Sequence, residues 1–159
     1  MRPIILFCLW ACATLVQAQA MTPEALLGVY RSAAATDSGF RGFSVDRGRD
    51  FYHARVKGPN GEHSCSACHG PDPRATVDGH GPGIRADCKA CHLTDSTVPG
   101  ERAKIRREIR PMAPSANPAR FTDADKAELW FDVNCFYVLG RPCTAREKGD
   151  FLVYLLSVQ

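Results

Sequence analysis

Cys65-Ser66-Ala67-Cys68-His69 and Cys88-Lys89-Ala90-Cys91-His92 decide how this chain is read. Each stretch is a complete CxxCH. Two thiols three positions apart suit the two vinyl groups of one haem, to which they add, and the following histidine then sits under the iron as proximal ligand. The two cysteine pairs are separated by 19 residues, a spacing that also fits a four-cysteine zinc site. A CxxC pair can also serve dithiol redox chemistry. Neither of these uses needs a histidine directly after both pairs. The reading is therefore two covalently bound haem c groups, with His69 and His92 as proximal iron ligands.

The N-terminus agrees with that chemistry. Residues 1–20, MRPIILFCLWACATLVQAQA, have a basic start at Arg2, an apolar run from Ile4 to Val16, and Ala18-Gln19-Ala20 before a cut. This is the pattern of a cleaved secretory signal. A lipoprotein signal at Leu9-Trp10-Ala11-Cys12 is the rival, disfavoured by the Trp and by its early position. The run is too short for a spanning helix, and no second one follows. A periplasmic protein is expected, in the compartment where c-type haem is attached. Of eight cysteines, removal of the signal leaves Cys65, Cys68, Cys88, Cys91, Cys135 and Cys143. Disulfides persist after export, so Cys135 and Cys143 are expected to pair and close the loop between them, a closure worth about 2–3 kcal/mol at most.

Across all 159 residues, 45% are hydrophobic and 23% charged, with a net charge of +3. That balance excludes global disorder and makes nucleic acid a poor default partner. Thr22-Pro23-Glu24 opens a first helix, with Leu26, Leu27, Val29 and Tyr30 as its apolar side. Ser44 to about Ala54 is a second. Seven glycines and five prolines between Lys57 and Gly100 preclude regular structure throughout that segment. Residues 101–110, ERAKIRREIR, suggest a short amphipathic helix, and Pro111, Pro114 and Pro118 a stiff loop after it. Thr122 should cap a helix to about Asn134, with Leu129, Trp130 and Val133 inward, and Cys135 to Cys143 should be loop. Thr144-Ala145-Arg146-Glu147 is a capping box for a terminal helix carrying Phe151, Leu152, Leu155 and Leu156. No long alternating strand pattern occurs, so the class is all-α with long loops, one domain over 21–159 that includes an inserted second-haem segment at about 81–110. So few helices make a thin core, and covalently held haem would supply the missing apolar mass. The distal candidates are His53, His80 and Met112, with His63 too close to Cys65 to serve its own haem; Asn134 by itself reads as a helix-ending Asn.

Pro111-Met112-Ala113-Pro114-Ser115-Ala116-Asn117-Pro118, then Arg120-Phe121-Thr122-Asp123, resembles the sphaeroides haem protein family of small bacterial c-type cytochromes. So does the stretch from Trp130-Phe131 through Asn134-Cys135 and Val138-Leu139-Gly140-Arg141 to Cys143-Thr144, Glu147-Lys148-Gly149-Asp150. Phe43 to Arg49 and Asp72-Pro73-Arg74 are similar to it as well. The resemblance implies a class I cytochrome c fold, a Cys135–Cys143 disulfide, and Asn134 as a sixth ligand lost on reduction, after which O2, CO or NO can bind. It implies a dihaem cytochrome c or a membrane cytochrome b as redox partner. The family's usual members carry one haem motif; the second here leaves open which haem Asn134 serves, with the His69 haem favoured and Met112 or His80 available to the other. The expected function is electron transfer rather than catalysis, with binding or conversion of a small gas as the rival.

Overall fold

The computed structural model describes residues 21–78 and 108–159. The signal-like segment and the second motif, with Cys88, Cys91, His92 and His80, lie outside the described residues. The described elements run in the order α1 (Pro23–Ala34), α2 (Val45–His53), β1 (Val56–Gly58), β2 (Gly61–His63), α3 (Cys65–His69), β3 (Val77–Asp78), β4 (Glu108–Ile109), α4 (Ala124–Leu139) and α5 (Ala145–Ser157).

The helices start where their caps say. Thr22 accepts from the Ala25 amide with Pro23 in the first turn of α1, and Ser44 accepts from the Arg47 amide to open α2. Thr144 and Glu147 form the complete capping box of α5. The α5 helix lies against α1 and α2 and is their common core. Leu152, Leu155 and Tyr52 are fully buried, and Leu26 nearly so, with Phe131 and Phe151 beside them. The α2–α5 approach is close enough that a Cβ on Gly48 would collide with the carbonyl oxygen of Asp150, and one on Gly149 with the Phe43 ring. Asp150, itself buried, seals the contact: its carboxylate accepts from the Ser44 amide at 2.7 Å and from Arg47 Nε at 2.7 Å.

Four expectations change. The α4 helix is capped by Asp123, not Thr122, and runs five residues past Asn134 to Leu139, with Gly140 as its C-cap, so Cys135 lies in a helix rather than a loop. Its inward face is Ala127, Phe131 and Cys135, whereas Leu129 and Trp130 are exposed at 50% and 36%. This helix is apolar on nearly every side, so the stripe read from periodicity does not identify the buried face. Val29 of α1 is likewise exposed. Of the expected 101–110 helix, the described part is strand: Glu108 and Ile109 pair antiparallel with Asp78 and Val77. The fold remains predominantly helical, with a second short hairpin where Val56 pairs with His63 around the Gly58-Pro59-Asn60-Gly61 turn.

Candidate functional site

The first CxxCH is itself a helix. α3 is five residues long and begins at Ser64, whose buried hydroxyl accepts from the Ala67 amide at 3.1 Å and lies 3.0 Å from the Ser66 hydroxyl. Helical spacing brings Cys65 and Cys68 to one side of it, one turn apart. Gly70 ends the helix at φ +80°, a conformation that favours glycine. The hydroxyl of Tyr52, a fully buried residue of α2, donates to the Gly70 carbonyl at 2.8 Å and fixes the turn that follows His69.

The electrostatics suit neutral donors. Burial, with some help from the Arg120 cation, lowers the His69 pKa to about 4, so its imidazole is neutral at physiological pH. His69 Nδ1 is buried and has no hydrogen-bond partner among the described residues, although the residue as a whole is only partly buried. The accessible part of His69 therefore lies elsewhere on the residue. Burial, and then the neighbouring Cys68, pushes the Cys65 thiol up to about 12. Cys65 is thus a protonated, apolar-seated sulfur rather than a reactive thiolate. Among the described residues, no three of His, Cys, Asp and Glu converge on a common metal-binding point.

The segment after the motif is tied to the Pro-rich loop. The Pro73 carbonyl accepts from both the Met112 amide, at 2.7 Å, and the Ala113 amide, at 2.9 Å. Asn117 Nδ2 and Arg120 Nε in turn donate to the Pro111 carbonyl, at 3.1 and 3.2 Å. Phe121 follows at φ +63° and is buried. A non-glycine residue held there is backbone strain maintained by its surroundings.

The distal candidates separate. Asn134 is partly buried on α4, and its side-chain amide makes no hydrogen bond with the described residues. The next residue, Cys135, is disulfide-bonded to Cys143, with Cα atoms 5.6 Å apart. The end of α4 also meets the hairpin that leads into α3: Asn60 Nδ2 donates to the Tyr137 carbonyl at 3.1 Å, the His63 and Tyr137 rings are 5.0 Å apart, and a Cβ on Gly58 would strike the Val138 carbonyl. Met112 packs against the core. His53 is exposed on α2, with Nε2 3.4 Å from the Tyr154 hydroxyl. His63 is engaged by the Asn60 carbonyl at 2.9 Å. Sequence reasoning missed Tyr52 and Ser64 as supports of the motif. The Ser directly before CxxCH was a readable cap signal; nothing local distinguished Tyr52 from an ordinary core residue.

The described helices form the fold of small c-type cytochromes. Over 86% of this chain and 94% of that one, the structure is similar to oxidised cytochrome c'' from Methylophilus methylotrophus, with TM-score 0.63 and 28% identity. It is similar to oxidised SHP, an oxygen-binding cytochrome c, with TM-score 0.60 and 31% identity, covering 86% and 97%. The chain belongs to the family described as a domain of unknown function, DUF1924, whose model matches residues 38–81 and 77–155. By sequence it is 47% identical over 70 residues to the cytochrome c-type protein SHP of Cereibacter sphaeroides, 44% of this chain and 54% of that protein. It is 31% identical over 114 residues to cytochrome c'' of Methylophilus methylotrophus, 72% of this chain and 64% of that protein. The matched segments thus span less than two thirds of either relative's length. No helix among the described residues is long and apolar enough to cross a membrane.

Proposed function

We propose that the chain is an exported dihaem c-type cytochrome that passes single electrons between redox partners, other cytochromes among them. The observation that carries this is the neutral His69, whose buried Nδ1 has no partner among the described residues, set at the end of a short helix bearing both cysteines. These residues fit a covalent haem. Neutral imidazole is the form that ligates iron. Two sulfurs one turn apart, that of Cys65 held protonated, suit thioether formation. When bound, haem c supplies a one-electron iron couple. Cys65 and Cys68 would anchor it and His69 would hold its iron, while Ser64 and Tyr52 keep that helix and the turn after it in place. Cys88, Cys91 and His92 repeat the motif and would hold a second haem.

A specific observation favours a second reading, binding of a small gas. The Asn134 amide has no hydrogen-bond partner among the described residues, and one structural neighbour is an oxygen-binding cytochrome c. An amide oxygen is a weak neutral donor, so its departure would open a position to O2, NO or CO.

The test is the reduced visible spectrum of protein matured with haem-attachment machinery, with and without carbon monoxide. Two c-type haems per chain, both indifferent to carbon monoxide, are expected of a plain carrier. A shift in about half of the haem selects the gas-binding reading, and Asn134→Ala then shows whether Asn134 guards that position. A colourless protein defeats both readings.

A further inference from the structure

Arg120 is a half-buried cation with no carboxylate partner among the described residues. Its described partners are two backbone carbonyls: Nε donates to Pro111 at 3.2 Å and Nη2 to Arg110 at 3.2 Å. A guanidinium has five N–H groups in a planar fork, so Nη1 and one hydrogen on Nη2 remain for another acceptor. The charges around it make matters worse. Burial disfavours its charged form, and Arg110, a second cation close enough to act on it, adds to the same effect. Asp72, on the turn after the motif, is occupied by Arg74, which holds it through Nε at 3.0 Å and Nη2 at 2.9 Å.

Arg120 is also held in place rather than left to solvent. Its loop is fastened to the turn after His69 by the two bonds to the Pro73 carbonyl, Ala113 in that loop is fully buried, and Phe121 is kept at positive φ directly after Arg120. The guanidinium lies close enough to His69 for the two to interact electrostatically. A desolvated cation without a partner is costly, and a planar anion removes that cost through two parallel hydrogen bonds.

We propose that Arg120 is an anchoring residue for a haem carboxylate: its free N–H groups pair with one propionate of the haem held at Cys65, Cys68 and His69. This rests on the haem reading above. It assigns to Arg120 the compensation of that carboxylate's charge, which neither the thioethers nor the axial histidine supplies.

The test compares the full-length haem-loaded protein with Arg120→Gln and Arg120→Lys by resonance Raman spectroscopy, following the propionate-bending band, with haem content per chain measured alongside. The expected result is unchanged haem content, a shifted band and a lowered reduction potential in Arg120→Gln, and a smaller shift of the band in Arg120→Lys, which keeps the charge but loses the fork. A band unmoved in Arg120→Gln overturns the pairing while leaving the haem reading intact. If Arg120→Gln does not fold, Arg120→Lys decides alone: a shifted band supports the pairing and an unmoved one overturns it. A parent protein without haem removes both readings.

Discussion

Glu128 stands where three helices meet. It accepts from the Tyr30 hydroxyl of α1 at 2.6 Å and from Lys148 Nζ of α5 at 2.5 Å, while that ammonium lies 5.5 Å from the centroid of the Phe131 ring. Burial alone would raise the Glu128 carboxyl; the bonds from Lys148 and Tyr30 outweigh it and hold the group below its ordinary value. A carboxyl depressed by folding stabilises above its unfolded pKa, and that stabilisation is lost as pH falls through the lower folded value. Glu128→Gln should therefore lower stability at neutral pH by about 1 kcal/mol, discounted for the exposure of Glu128, and the deficit should shrink below about pH 4. Urea melts at several pH values check this; a deficit constant with pH contradicts it. At this scale the cysteines and histidine of CxxCH are legible because their chemistry is set by spacing within five residues. Arg120, Tyr52 and Glu128 are not, because each acquires its partner from a segment distant in sequence.

Helix starts were the most readable elements, since Thr22, Ser44 and Thr144 each cap through bonds within their own turn. Thr144→Ala should cost about 1 kcal/mol, seen as a lower urea midpoint with an unchanged slope. Helix faces and ends were less readable. Trp130 and Leu129 look like core in a one-dimensional pattern, but the neighbours of α4 select Phe131 and Cys135 instead. The α2–α5 contact depends on a missing side chain, and a glycine reads in sequence as flexibility rather than as closeness. Gly48→Ala should force the two backbones apart and cost about 2–3 kcal/mol, more than its helix-propensity gain returns. Thermal unfolding followed by circular dichroism measures it, and an unchanged midpoint would show that the interface yields.

For the molecule as a whole, α5 is the common wall and the Cys135–Cys143 bridge ties its start to the body of α4. Replacing both cysteines by serine should cost about 2–3 kcal/mol in urea unfolding, the loop being short. The bridge was legible from cysteine arithmetic and the expectation of export, whereas its seat inside a helix was not. The hairpin that feeds the first CxxCH has a mechanical consequence. Gly58 abuts the carbonyl of Val138, and Asn60 grips that of Tyr137. The helix bearing Asn134 is thus clamped at its far end to the strand leading into Cys65. A rod held there cannot slide without driving main chain into main chain. If Asn134 leaves the distal side when the iron is reduced, the motion belongs to its own side-chain torsions, a latch turning in a fixed door frame.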